Sequence, residues 1–102
     1  MTDPTTIEAT RDARRKRLRA FRESIPISQE KLGKLAGISR VRINKIESGA
    51  DKMTRATTVG ALARAFCLTL DEFEGLLSGE ADGETLRKRA KRRAAAGEGV
   101  AK

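Results

Sequence analysis

The apolar positions of the chain fall into short helical groups separated by turn residues, and the most telling stretch runs from Ser28 to Gly49. There Leu32, Leu35 and Ala36 recur at i, i+3 and i+4, the spacing of one buried helical face. Val41, Ile43 and Ile46 form a second group. Gly37 lies between them, the residue type that tolerates the left-handed turn after a helix. Ser28 and Ser39 stand where N-caps belong, and Glu30 favours the positive end of the first helix. The connection is too short for the two helices to lie side by side, so they should cross at a steep angle.

The same periodicity organises the flanks. Leu18 and Phe21 mark a helix from Thr10 that Pro26 ends, because the residue before proline is pushed out of the α region. Ile25 and Ile27 plug the following turn. Thr54 is the expected N-cap of a helix running to Phe66, with Val59, Leu62, Ala63 and Phe66 inward. Leu70, Phe73, Leu76 and Leu77 mark a last helix closed by Ser78 and Gly79. The pattern thus predicts a compact all-α domain of five helices over residues 10–79, with residues 28–49 as its centre. Residues 1–9 are expected to be a disordered arm and residues 80–102 a flexible basic tail. The last helix carries more apolar surface than so small a core need absorb. Leu70, Phe73, Leu76 and Leu77 are therefore assigned to a dimer interface, with Leu76 or Leu77 partly exposed on the isolated subunit.

Composition narrows the function. With 102 residues, 38% of them apolar and neither Trp nor Tyr, the chain supports one aliphatic core sealed by three phenylalanines. The net charge is +8. Residues 28–77 hold 8 basic and 6 acidic side chains, whereas residues 1–27 and 78–102 each hold 7 against 4. The excess therefore sits mainly in the flanks, which suits a polyanionic partner. The tail concentrates it in Arg87, Lys88, Arg89, Lys91, Arg92 and Arg93, which repel one another and should order as a helix over residues 84–96 only against an anion. No apolar run has the roughly 20 residues that a membrane span needs, and the N-terminus lacks the features of a signal peptide. Cys67, the single cysteine, excludes an internal disulfide and a cysteine-based zinc site, and is expected to be a small buried residue. There is no histidine, no glycine-rich phosphate loop and no nucleophile–base pattern, so no enzyme, cofactor or metal is expected.

On these residues the chain resembles the helix-turn-helix regulators of the phage repressor and Cro type. Ser28-Gln29, Leu32, Gly37, Ser39, Ile43, Ile46 and Glu47-Ser48-Gly49 match the motif itself. Leu18-Arg19-Ala20-Phe21-Arg22 resembles the family's first helix, and Leu62–Phe66 with Leu70–Phe73 its fourth and fifth. Two positions depart from the family: Gly33 where alanine is common, and Cys67 where glycine is usual. The resemblance implies a cytoplasmic, bacterial or phage, nucleoid-associated regulator that binds double-stranded DNA as a homodimer. Arg40, Val41, Asn44 and Lys45 match its base-reading positions, and their chemistry agrees. Asn44 can pair with an adenine edge, Arg40 and Lys45 with guanine acceptors, and Val41 with a thymine methyl. Gln29, Ser39, Arg42 and Ser48 are the expected phosphate contacts. Arg22 and Glu47 match an Arg–Glu pair that ties the first helix to the recognition helix. The alternatives are an antitoxin that binds a toxin and autoregulates its operon, a protein-interaction adaptor, and a nonspecific nucleic-acid binder driven by the basic flanks.

Overall fold

A computed structural model of the chain describes residues 4–51 and 55–95, with side chains from residue 10 onward. Six helices follow in order: α1 (Pro4–Ser24), α2 (Gln29–Ala36), α3 (Arg40–Ser48), α4 (Ala56–Ala65), α5 (Leu70–Ser78) and α6 (Gly83–Ala95). All of the regular structure among the described residues is helical. Helix α1 starts at Pro4 rather than near Thr10, and proline suits the first turn because its missing N–H would lack a partner there anyway. The expected cap Thr54 lies outside the described residues; α4 starts after Arg55, which makes no side-chain cap bond.

The caps explain the boundaries. Ser28 Oγ accepts from the Lys31 N–H at 3.0 Å, and Ser39 Oγ accepts from the Arg42 N–H at 3.2 Å. Thr69 and Glu72 form a reciprocal capping box at the start of α5. Gly37, at φ 72°, closes α2 in the left-handed region. Cys67 takes the same region at φ 59° without being glycine, a conformation that costs a side-chain-bearing residue about 1–2 kcal/mol. It is buried, as its small apolar character suggests.

Leu18 and Phe21 from α1, Leu32 from α2, Ile43 and Ile46 from α3, Leu62 and Phe66 around α4, and Phe73 and Leu77 from α5 form one continuous core. Phe66 ties it together, edge-on to Phe21 at 5.1 Å between centroids and tilted against Phe73 at 6.2 Å. Gly33 sits where α2 and the following turn meet. A Cβ there would lie 2.4 Å from the Ile38 carbonyl oxygen, so glycine answers a backbone contact.

Two further expectations are corrected. Residues 83–95 are a sixth helix packed on α1 and α5, not a free tail. Leu86, Ala90 and Ala94, at i, i+4 and i+8, make a narrow stripe that packs on the core, with Leu86 and Ala90 buried. A leucine with two alanines reads as a weak face in sequence but fills a shallow seam between helices. Asp82 starts this helix, accepting from the Thr85 N–H and hydroxyl at 3.3 and 2.9 Å. Those bonds, with the hydroxyl first, hold the Asp82 carboxyl below its ordinary value.

The second correction concerns α5. Leu76 is 5% exposed and Leu77 and Phe73 are fully buried, so neither leucine is left on the subunit surface. Phe73 and Leu77 belong to the central core, and Gly83 at the start of α6 lies over Leu76. Of the four residues assigned to an interface, only Leu70 is open, at 54%.

Candidate nucleic-acid interface

The surface built by α2 and α3 follows from the way α3 is anchored. Ile43, Ile46 and Glu47 are buried beneath it. Arg40, Val41, Asn44, Lys45 and Ser48 are exposed, Val41 to 58%. An exposed branched apolar side chain among cations and an amide is what a base-contacting surface needs, since it can meet a thymine methyl.

Glu47 is the hub behind that surface. Arg22 Nε donates to Glu47 Oε2 at 2.6 Å and Arg22 Nη2 to Oε1 at 3.0 Å, a two-pronged pair with both side chains almost wholly buried. Arg22 Nη1 also donates to the Ile27 carbonyl at 2.8 Å, fixing the turn between α1 and α2. The hydrogen bond to Glu47 raises the Arg22 pKa above its ordinary value, against the opposing effect of burial. Gln29 Nε2 donates to Glu47 Oε1 at 3.0 Å, and Asn44 Nδ2 reaches Gln29 Oε1 at a long 3.4 Å. A polar chain therefore runs from the core through Gln29 to Asn44, and it sets the direction of the Asn44 amide.

The residues expected at phosphates are placed differently from one another. Gln29 stands at the start of α2, with its amide turned toward Glu47 and Asn44. Ser39 is engaged as the α3 cap. Ser48 is exposed and its hydroxyl donates to the Lys45 carbonyl at 3.1 Å. Arg42 turns away from the outer face: its Nε donates to Asp51 at 3.1 Å and its Nη2 to the Thr58 hydroxyl at 2.9 Å, joining α3 to the loop and to α4.

Among the tail cations, Arg93 and Arg89 are firmly engaged within the protein. Arg93 donates to Glu72 at 2.5 and 3.0 Å and to the Cys67 carbonyl at 2.9 Å, while Arg89 reaches Glu72 at 3.2 Å. Arg93 and then the other donors, Thr69 and Arg89, lower the Glu72 pKa to about 2 despite its burial. Lys88 lies 3.5 Å from Glu84, and Arg87 reaches the Ser24 carbonyl at 3.4 Å. Lys91 and Arg92 are exposed.

Several α1 cations have structural partners that local sequence pattern does not reveal. Arg15 Nη1 donates to the Glu47 carbonyl at 3.0 Å, and Arg17 Nη1 to the Leu77 carbonyl at 2.8 Å. Each guanidinium lies against the glycine that ends the helix, Gly49 after α3 and Gly79 after α5. A cation at a helix C-terminus complements the partial negative charge there and satisfies a free carbonyl. Arg14 pairs with Glu74 of α5 at 3.1 Å.

No helix among the described residues is long and apolar enough to cross a membrane, and no cluster of His, Cys, Asp or Glu among them could hold a metal ion. No curated protein and no solved structure matches the chain. The family model described as helix-turn-helix matches residues 18–73, from Leu18 in α1 to Phe73 in α5, which includes both helices of the exposed surface and the chain of hydrogen bonds from Arg22 through Glu47 and Gln29 to Asn44. The chain belongs to the Cro/C1-type helix-turn-helix family of DNA-binding transcriptional regulators.

Proposed function

We propose that the protein binds double-stranded DNA sequence-specifically, as a two-fold dimer on a palindromic operator, and regulates transcription by occupying that site. The observation that carries this reading is the contrast across α3. Its inner side is locked by Ile43, Ile46 and Glu47, while Arg40, Val41, Asn44 and Lys45 stand together in solvent. In this reading α3 enters the major groove, with Arg40 and Lys45 on guanine N7 and O6, Asn44 on adenine and Val41 on a thymine methyl. The start of α2, led by Gln29, anchors a phosphate through its free backbone N–H groups, with Ser39 and Ser48 as further backbone contacts. Arg42 contributes by holding α3 to α4.

A single recognition helix reads only a few base pairs, and such a short word recurs too often to direct regulation. A dimer doubles the word, with its two helices about 34 Å apart on one face of the duplex. The cations remaining free, rather than the whole basic count, supply the sequence-independent attraction.

The test is protection mapping on the DNA upstream of the protein's own gene, with Asn44→Ala alongside the native chain. A symmetric protected site is expected. The variant should lose roughly 1–3 kcal/mol and relax base preference at one position in each half-site. Full affinity with an unchanged preference would remove α3 as the reading helix. Binding of all sequences alike, with steep salt dependence, would favour a nonspecific nucleic-acid binder.

A further inference from the structure

A groove of about 600 Å³ opens between the turn after α1, one side of α2, the end of α4 and one side of α6 from Arg87 to Ala94. Its surface is mainly apolar, with Ile25, Ile27, Leu35, Phe66, Ala90 and Ala94 in its walls. Ile25, Ile27, Leu35 and Ala94 pack on the core yet remain only half-buried, so the groove leaves apolar surface facing water. Four cations also line it, Lys31 from α2 and Arg87, Lys88 and Lys91 from α6, and no Asp or Glu does.

Those cations are weakly compensated. Arg87 touches the Ser24 carbonyl at 3.4 Å, and Lys88 lies 3.5 Å from an exposed Glu84. Lys31 and Lys91 are exposed, and neither ammonium has an ion-pair partner among the described residues. An apolar cleft of a few hundred Å³ with a few convergent polar groups is the usual form of a small-molecule site. Here the convergent groups all carry the same sign.

We infer that this groove binds a small amphipathic anion, a molecule with an apolar body and a carboxylate head group. The body covers the half-buried Ile25, Ile27, Leu35 and Ala94, and the head group sits among Lys31, Lys88 and Lys91. A DNA backbone would satisfy the cations but has no apolar part to cover those side chains. One wall of the groove is α2 itself, so the bound anion bears on the helix that packs against α3. The inference is independent of the DNA-binding reading, because the site is defined and tested without DNA.

The experiment uses the full chain with octanoate as probe and 1-octanol as its neutral counterpart, both followed by calorimetry and by amide chemical shifts. Octanoate should bind one saturable site and shift amides around Ile25, Ile27, Leu35 and Ala94. The alcohol should bind about fivefold more weakly or worse, the effect of roughly 1 kcal/mol from partly exposed charges. Replacing the two α6 lysines, Lys88→Gln with Lys91→Gln, should lower octanoate affinity by about the same factor and leave the alcohol unaffected. Ala94→Leu, which fills the cleft, should weaken both probes. Equal binding of the two probes by the native protein, absence of saturable binding, or shifts confined to another surface would overturn the proposal. The native-protein comparison decides the matter even if a variant loses its fold.

Discussion

Arg93 of α6 and Glu72 of α5 meet through both terminal guanidinium nitrogens, at 2.5 and 3.0 Å, and this pair fastens the last helix to the domain. Glu72 also closes the capping box that starts α5, so one carboxylate serves two helices. Its pKa, lowered to about 2 from an ordinary 4.5, ties that fastening to pH. Because the folded-state value is depressed, the stabilisation is fully present above about pH 4.5 and is lost as pH falls toward 2. Glu72→Gln keeps a side chain able to complete the cap but removes the charge. Urea denaturation at pH 7 should show a loss of about 1.5–3 kcal/mol, the worth of hydrogen bonds to a charged group. The variant and the native chain should converge in stability as pH falls from about 4.5 toward 2. A constant difference down to pH 2 would show that the ion pair contributes nothing.

The Arg22–Glu47 pair predicts an asymmetric mutational result. Glu47→Ala leaves the buried Arg22 charge without its partner and should cost about 3–5 kcal/mol. Replacing both residues, Arg22→Met with Glu47→Leu, should recover most of that loss, because neither charge is then stranded. Equilibrium unfolding of the two variants makes the comparison. A Glu47→Ala protein as stable as the native chain would mean that the pair is not buried in solution.

Gly33 offers a test of helix crossing. Alanine is the better helix former by up to about 1 kcal/mol, so a substitution on an open face would stabilise the protein. Here the new methyl group meets the Ile38 carbonyl oxygen at 2.4 Å. Gly33→Ala should therefore destabilise by about 1–3 kcal/mol, as overpacking does. A raised melting temperature would show that the turn relaxes without cost.

Helix α5 separates a folding role from an association role. Leu76 and Leu77 lie inside the subunit, so replacing both with glutamate should abolish the helical circular-dichroism signal. Leu70 is exposed, and Leu70→Glu should leave that signal intact. If α5 forms the dimer contact, Leu70→Glu should shift the protein to monomer in sedimentation and lower operator affinity far more than nonspecific affinity. An unchanged dimer would move the interface off α5.

What was legible in the sequence is what short-range chemistry controls. The spacing of Leu32 and Leu35, of Ile43 and Ile46, the caps Ser28 and Ser39, and Gly37 each act within a turn or two of the chain. They were enough to place two crossing helices, while the resemblance, and not the apolar pattern that groups Val41 with Ile43 and Ile46, set Arg40, Val41, Asn44 and Lys45 apart from the inner side of α3. The sequence also pointed to a pairing of Arg22 with Glu47, though only through resemblance. Tertiary structure decided where the cations go. An arginine side chain is long, and its partner is chosen by whichever helix end or carboxylate the fold brings near. Arg15, Arg17 and Arg14 find theirs 32, 60 and 60 residues away, a separation over which local pattern carries no information. The same holds for α6, whose Leu86, Ala90 and Ala94 become a buried face only because α1 and α5 leave a shallow seam that small side chains fill. Leu76 departs from its expected exposure for the complementary reason. Its surplus apolar surface exists only until Gly83 and the sixth helix lie over it.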